Sequence, residues 1–316
     1  MSTAKSVPVT RDRVGDPARA TLRAVGRRRL AMDAVDRFRA ADGFSHARAL
    51  AFTFALTLLP ALITIVGLAT ALDQTTFTRV VRDVLIDLAP AAAGDVITEA
   101  LHQGSVGAHR ANGAVALVLG GCATLISGAT AFGQLERGAN RMYGIERDRP
   151  GVRKYGLAAA LLVTAGLATT AAAVLLIAGA TLGRAAGWGD LYAVLRWPVI
   201  LGLVTGTLAL LFKLSPSRRQ PEAAWLVIGA AFSATLWLAL TGTLALTLGA
   251  TADFGATYGP ITGTIAVLLW TLFSALAILF GLALAAQLEA ARAGVHGTRV
   301  ERHDNDDGPC APPSTS

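Results

Sequence analysis

A chain of 316 residues with 53% hydrophobic and 16% charged side chains is too apolar for an ordinary soluble domain, in which about a quarter of residues are charged. The formal charge of +7 could suit nucleic acid, so where the cations fall has to decide between that partner and a membrane surface. With two cysteines, Cys122 in an apolar run and Cys310 near the C-terminal end, neither a disulfide framework nor a cysteine-rich metal site can organise the fold.

Residues 1–21 are polar, contain Pro8, Gly15 and Pro17, and are predicted to form a disordered cytoplasmic leader. The first 40 residues hold no apolar core of the kind a cleaved signal peptide needs. Residues 22–42 read as a basic amphipathic helix, with Val25, Leu30, Met32, Val35 and Phe38 set among arginines. Such a helix can lie on anionic headgroups, where each Lys or Arg contributes about 1 kcal/mol.

The first charge-free run covers residues 49–72, between Arg48 and Asp73, long enough at about 1.5 Å per residue to cross a bilayer core of about 30 Å. Pro60 inside it predicts a kink. Residues 74–103 follow helical spacing through Phe77, Val80, Val81, Val84, Leu85 and Leu88, with Arg82, Asp83 and Asp87 on the polar side. This predicts an outer-side surface helix that does not span. Further charge-free runs at 113–135, 155–183, 197–212, 223–247 and 260–287 bring the predicted spans to six. The run at 197–212 is short, with Arg196 and Lys213 extending their stems along it and Pro198 placed to open the helix. The expected architecture is therefore all-α, a six-helix transmembrane domain over 43–291 followed by a disordered cytoplasmic tail over 292–316.

Orientation follows from the cations, because cytoplasmic loops carry the excess of Lys and Arg. On this threading 23 of the 28 Lys and Arg residues lie on one side. The other side has only Arg79, Arg82, Arg110, Arg184 and Arg196. Both termini are thus expected in the cytoplasm. The cations track loop sidedness and do not alternate with stacking aromatics, so nucleic acid is not the expected partner; anionic lipid headgroups are.

Two places could carry function. Asp253 and Tyr258, with Gly259 and Pro260, precede the last span and could gate it or hold a ligand, although a tight solvated turn accounts for the same residues. At the end of the second span, Asn140 and Arg141 could bind a lipid phosphate or latch the next loop, while Glu136 could simply pair with Asn140 or Arg137 along the helix. Gly179 with Gly183, Gly202 with Gly206, and Gly259 with Gly263 have the spacing of close helix crossings. Tyr155, Trp197 and Trp225 are expected at the interface, and Trp237 and Trp270 deeper. The dispersed histidines His46, His102, His109, His296 and His303 have no metal-ligand spacing, so neither a zinc site, another cofactor nor a metal-dependent nuclease centre is expected.

Three stretches together resemble the YihY/BrkB family of bacterial inner-membrane proteins, some of which carry the name ribonuclease BN. The first is GFSHARALAFTFALTLLPAL at 43–62, matched at Thr57 and Pro60. The second is GQLERGANRMYG at 133–144, matched at Leu135, Asn140, Arg141 and Tyr143. The third and most specific is YGPITGTIAVLLWTLFSALAILFG at 258–281, which includes Tyr258, Gly259, Pro260, Trp270 and Gly281. The chain departs from the family where Ala283 and Ala285 replace an intramembrane Glu and Asn, which weakens any proton-coupled role, since an ionisable group within a span is a functional-site candidate. The resemblance implies a multi-pass protein of the bacterial cytoplasmic membrane. With spans so poor in charge, the expected function is non-enzymatic: envelope integrity, or transport of a lipid-like amphipathic ligand. A membrane scaffold and an RNA-processing enzyme are the alternatives.

Overall fold

The computed structural model describes residues 3–10, 18–71, 94, 98–103, 113–152, 155–160, 187, 189–220, 223–250, 260–295 and 297–298. In chain order the main helices are α1 (Ala18–Val25), α2 (Arg27–Ala40), α3 (Gly43–Ala71), α4 (Gly113–Met142), α5 (Gly189–Leu214), α6 (Ala223–Ala250) and α7 (Pro260–Arg292). The fold is all-helical, as the runs of Ala, Leu and Val between charges predict. In hydrocarbon a helix satisfies its own peptide groups, which no open strand can do.

Four helical segments are long and apolar enough to cross a membrane: Gly43–Leu68, Gly113–Met142, Trp225–Leu248 and Thr262–Arg292; Leu201–Leu214 is a shorter apolar helix. Their outward side chains are large and hydrophobic. Ile126 and Leu246 are 71% and 77% exposed, as lipid-facing positions should be. Hydroxyls within the spans bond back to the preceding turn, as Thr57 does to the Thr53 carbonyl at 2.7 Å and Thr124 to the Gly120 carbonyl at 2.7 Å, so they present little polarity to lipid.

The central helix is α7, which packs against α6, α3, α2, α4 and α1, while α3 pairs with α4 and α5 with α6. Among the described residues, close crossings are made at glycines outside the one predicted pair that is fully described. A Cβ on Gly281 would lie 2.6 Å from the Ser233 Cβ and 2.7 Å from the Gly229 carbonyl oxygen, and one on Gly67 would lie 2.5 Å from the Leu117 backbone nitrogen. Around Gly202 and Gly206 nothing lies within 4 Å of such a Cβ, so that pair makes no crossing. Gly179, Gly183 and Gly259 lie outside the described residues.

Several boundaries differ from the sequence reading. The basic helix is two helices, broken at Gly26 with φ 81°, a backbone value that glycine adopts freely. It does not simply rest on a surface, because Phe38 is buried and stacks on Phe280 with centroids 4.2 Å apart. Pro198 lies well inside α5 and does not open it, since the helix already begins at Gly189. Pro60 lies inside α3. The predicted span 155–183 is described only over its helical first six residues, and the surface helix at 74–103 only at 94 and 98–103. Residues 3–10, for which composition alone suggests no structure, follow a non-helical path against the bundle. They are held by Thr3 N–H to the Ala40 carbonyl, Lys5 N–H to the Thr298 carbonyl and Val7 N–H to the Tyr143 carbonyl, at 2.9–3.1 Å.

Candidate functional site at the basic end of the bundle

Buried charge collects at one end of the helices, where α2, the ends of α4, α5 and α7, the start of α6 and residues 3–10 meet. Arg37 is fully buried. Helical spacing explains why: it falls on the stripe of Leu30, Ala34 and Phe38, all buried in α2. Its Nε donates to Gln287 Oε1 at 2.7 Å, and its Nη1 donates to the carbonyls of Lys5 and Met142 at 3.0 and 3.1 Å. Burial pulls this guanidinium down from its ordinary 12.5 to about 10, with Tyr143 and Asp33 acting the other way. It therefore stays charged at neutral pH.

Two turns of α7 complete the centre. Ala283, Ala285 and Ala286 are buried, and a Cβ on Gly229 would lie 2.9 Å from that of Ala285. At 285 a small side chain thus lets α6 approach α7, and the polar groups come later, at Gln287 and Glu289. Glu289 has no exposed side-chain surface and pairs with Arg218, itself 7% exposed, at 2.5 Å. Its Oε1 also accepts from the Thr10 hydroxyl at 3.0 Å and the Thr10 N–H at 3.3 Å. The Arg218 guanidinium lies 4.7 Å from the centre of the Tyr143 ring, and that of Arg292 lies 4.6 Å from the Trp225 ring. Trp225 is consequently buried, at 3% exposure, where an interfacial position was expected: its ring is covered by a cation.

A second network joins the end of α4 to the loops that follow α4 and α5. Asn140 is its hub, donating from Nδ2 to Asp148 at 2.8 Å and accepting at Oδ1 from the Ser217 N–H at 2.8 Å and hydroxyl at 3.1 Å. Glu136, fully buried, accepts from the Arg149 N–H at 3.0 Å and pairs with its guanidinium at 3.7 Å. Arg149 then donates to the carbonyls of Leu214, Ser215 and Pro216, closing the C-terminus of α5 with a cation as the helix dipole favours. Arg137 pairs with Asp148 at 3.6 Å, and Arg141 donates to the Ile145 carbonyl at 2.8 Å. Local pairing of Glu136 with Arg137 or Asn140, as spacing alone would suggest, gives way to these partners because residues 143–150 fold back over the helix end.

Of the residues singled out from sequence, Asn140, Arg141 and Tyr143 come together here, with Leu135 buried in the core nearby. Asn140 and Arg141 act as the loop latch; no phosphate is needed to explain their contacts. Gly281 serves the α6–α7 crossing. Thr57 makes an ordinary back-bond, and Trp270 is partly buried in α7. Trp237, as expected of a deep residue, donates to Ser274 at 2.9 Å across the α6–α7 contact. Asp253, Tyr258 and Gly259 lie outside the described residues, and Pro260 is described only as the first residue of α7. Sequence reasoning missed Arg37, Arg218, Gln287, Glu289 and Thr10. Only Arg37 carried a usable signal, as a charge on an apolar helical stripe.

Comparison with known proteins agrees with this membrane architecture. The chain is similar to the "Putative ribonuclease-like protein YfkH" of Bacillus subtilis (strain 168), with 28% identity over 249 residues, covering 76% of this chain and 88% of that protein. No solved structure matches it. The family model described as "Virulence factor BrkB" matches residues 34–305, a span that runs from the second half of α2 through α7, and the chain therefore belongs to the BrkB family.

Proposed function

We propose that this BrkB-family protein is a non-enzymatic component of the bacterial cytoplasmic membrane that handles or transports an amphipathic, lipid-like ligand and so contributes to envelope integrity. One observation carries the reading: buried ionic groups gather at one end of a bundle whose spans are otherwise apolar. That division matches a molecule with a polar head and hydrocarbon tails better than an inorganic ion, which needs a ring of charges or carbonyls along its path. The excess of Lys and Arg on one side supports a cytoplasmic location for the basic end and for both termini. Lipid flux measured in vesicles containing the purified protein tests the proposal, and flux no faster than in empty vesicles counts against it.

A scaffold that recruits anionic lipid through its basic helices is the rival, favoured by the exposed Arg23, Arg27, Arg28 and Arg29. Removing residues 1–40 would not discriminate, because Arg37 and Phe38 belong to the core. Replacing Arg27, Arg28 and Arg29 with Gln does so: a transporter keeps its flux, a recruiting scaffold loses vesicle binding. The ribonuclease-like name of the Bacillus relative points to a third reading, tested by incubating the purified protein with RNA and a divalent metal. Among the described residues no group of three His, Cys, Asp or Glu is arranged to hold a metal.

A further inference from the structure

We propose that Thr241 of α6 and Trp270 of α7 form an intramembrane subsite for a neutral carbonyl group, the ester carbonyl of a glycerolipid. The inference deepens the lipid-handling reading and rests on it in taking the ligand to be a lipid.

The register of the two helices brings these residues to one level. α6 and α7 run antiparallel, with Gly229 against Ala285, Ser233 against Gly281 and the Trp237 indole N–H donating to the Ser274 hydroxyl at 2.9 Å. Thr241 follows Trp237 by four residues and Trp270 precedes Ser274 by four. Each therefore lies one turn, about 5.4 Å, further toward the same end of the seam. Thr241 Oγ1 and Trp270 Nε1 are both buried and make no hydrogen bond. Thr235 and Thr243 of the same helix behave differently, returning their hydroxyls to the carbonyls of Ala231 and Ala239 at 2.9 and 2.8 Å.

In hydrocarbon a buried polar group without a partner is costly, so two of them at one level make a place for a guest. Their chemistry names it. The indole N–H only donates and the threonine hydroxyl can donate beside it, which suits the two lone pairs of a carbonyl oxygen. No Asp, Glu, Lys or Arg occurs in α6, or in α7 before Glu289. A charged head group would find no counter-ion here, and a neutral carbonyl needs none. Ser233 is also buried and unbonded, but its surroundings are closed: one carbon added at Gly281 would meet Ser233, Gly229 and Phe212 at 2.6–3.0 Å.

The flank of Thr241 is open by contrast. Leu238, Gly242 and Leu246 recur at four-residue spacing on an outward stripe of α6, both leucines are exposed, and a Cβ on Gly242 would meet nothing within 4 Å. Gly242, the next residue after Thr241, thus leaves a gap in the lipid-facing stripe. Thr241 also lies seven residues, about 10 Å, inside the end of the span at Leu248, whereas the ester groups of a resting leaflet belong to the interfacial layer. A carbonyl at Thr241 is that of a lipid drawn into the seam.

The indole N–H resonance of Trp270, identified by its loss in Trp270→Phe, tests the subsite in isotope-labelled protein. It is compared in nanodiscs of ester-linked phosphatidylcholine and of ether-linked phosphatidylcholine with the same chains. The resonance should lie downfield in the ester lipid and move upfield in the ether lipid, which lacks the carbonyl, while that of Trp237, bonded to Ser274, stays in place. Gly242→Leu fills the gap without changing either polar group, and in ester lipid it should give the ether-lipid position. One Trp270 position in both lipids, as a bridging water would produce, overturns the subsite; so does an equal movement of the Trp237 resonance. Should Gly242→Leu fail to fold, the two lipids decide alone. Lipid flux without the ester-dependent shift removes the subsite and leaves the lipid-handling reading standing, whereas the shift without flux leaves a bound lipid and removes transport.

Discussion

Replacing Arg218 with Met removes one half of an ion pair whose other half, Glu289, has no exposed side-chain surface. The carboxylate would keep only its bonds from Thr10, and Arg218 would no longer cover the Tyr143 ring. Leaving a buried charge without its counter-ion costs about 3–5 kcal/mol. Replacing Glu289 with Leu as well takes that uncompensated charge away. What then remains is the orphaned Thr10 N–H and hydroxyl, at about 1–3 kcal/mol for a buried unsatisfied group. The double variant should therefore be more stable than Arg218→Met by about 2 kcal/mol, although it carries one more substitution. Equilibrium unfolding in mixed micelles of mild detergent and dodecyl sulfate, read by circular dichroism, measures the order. If Arg218→Met loses less than about 1 kcal/mol, the value of an exposed pair, or if the double variant is the less stable of the two, the pair is not buried as described.

Other substitutions test the rest of the bundle. Asn140→Ala should cost about 1–3 kcal/mol by taking the acceptor from the Ser217 N–H and the amide donor from Asp148, while Asn140→Asp keeps the acceptor for Ser217 but sets a second carboxylate beside Asp148; both melt below the wild-type protein in detergent. Gly281→Ala drives a methyl into Ser233 and the Gly229 carbonyl and should cost about 1–3 kcal/mol, whereas Gly202→Ala, with open space around it, should leave the melting temperature unchanged or slightly raised. Burial first, and then the charge of Glu289, hold the Tyr143 hydroxyl well above its usual 10.0. The folded protein keeps that proton where the unfolded chain releases it, so this contribution to stability is complete below pH 10 and is lost as pH rises further. Tyr143→Phe should flatten the alkaline loss of stability and leave the tyrosinate absorbance of the folded protein unchanged up to pH 11.

The sequence by itself established an all-helical membrane protein and located its four long apolar helices, though not all of their ends. Length without charge is a one-dimensional property: a run such as 113–135 has one low-energy conformation in hydrocarbon, so the helix at Gly113–Met142 was legible residue by residue apart from its end. The bias in cations and the three family stretches could be read in the same way. The basic-end centre could not. Its decisive bonds join residues as far apart as Thr10 and Glu289, 279 positions along the chain, and none of the partners has a fixed spacing from another. Arg218 and Glu289 look like ordinary charges at span ends until the packing of α7 against α2 and α6 removes water from between them. Whether such a charge is solvated or paired depends on what covers it, and only the tertiary arrangement decides that.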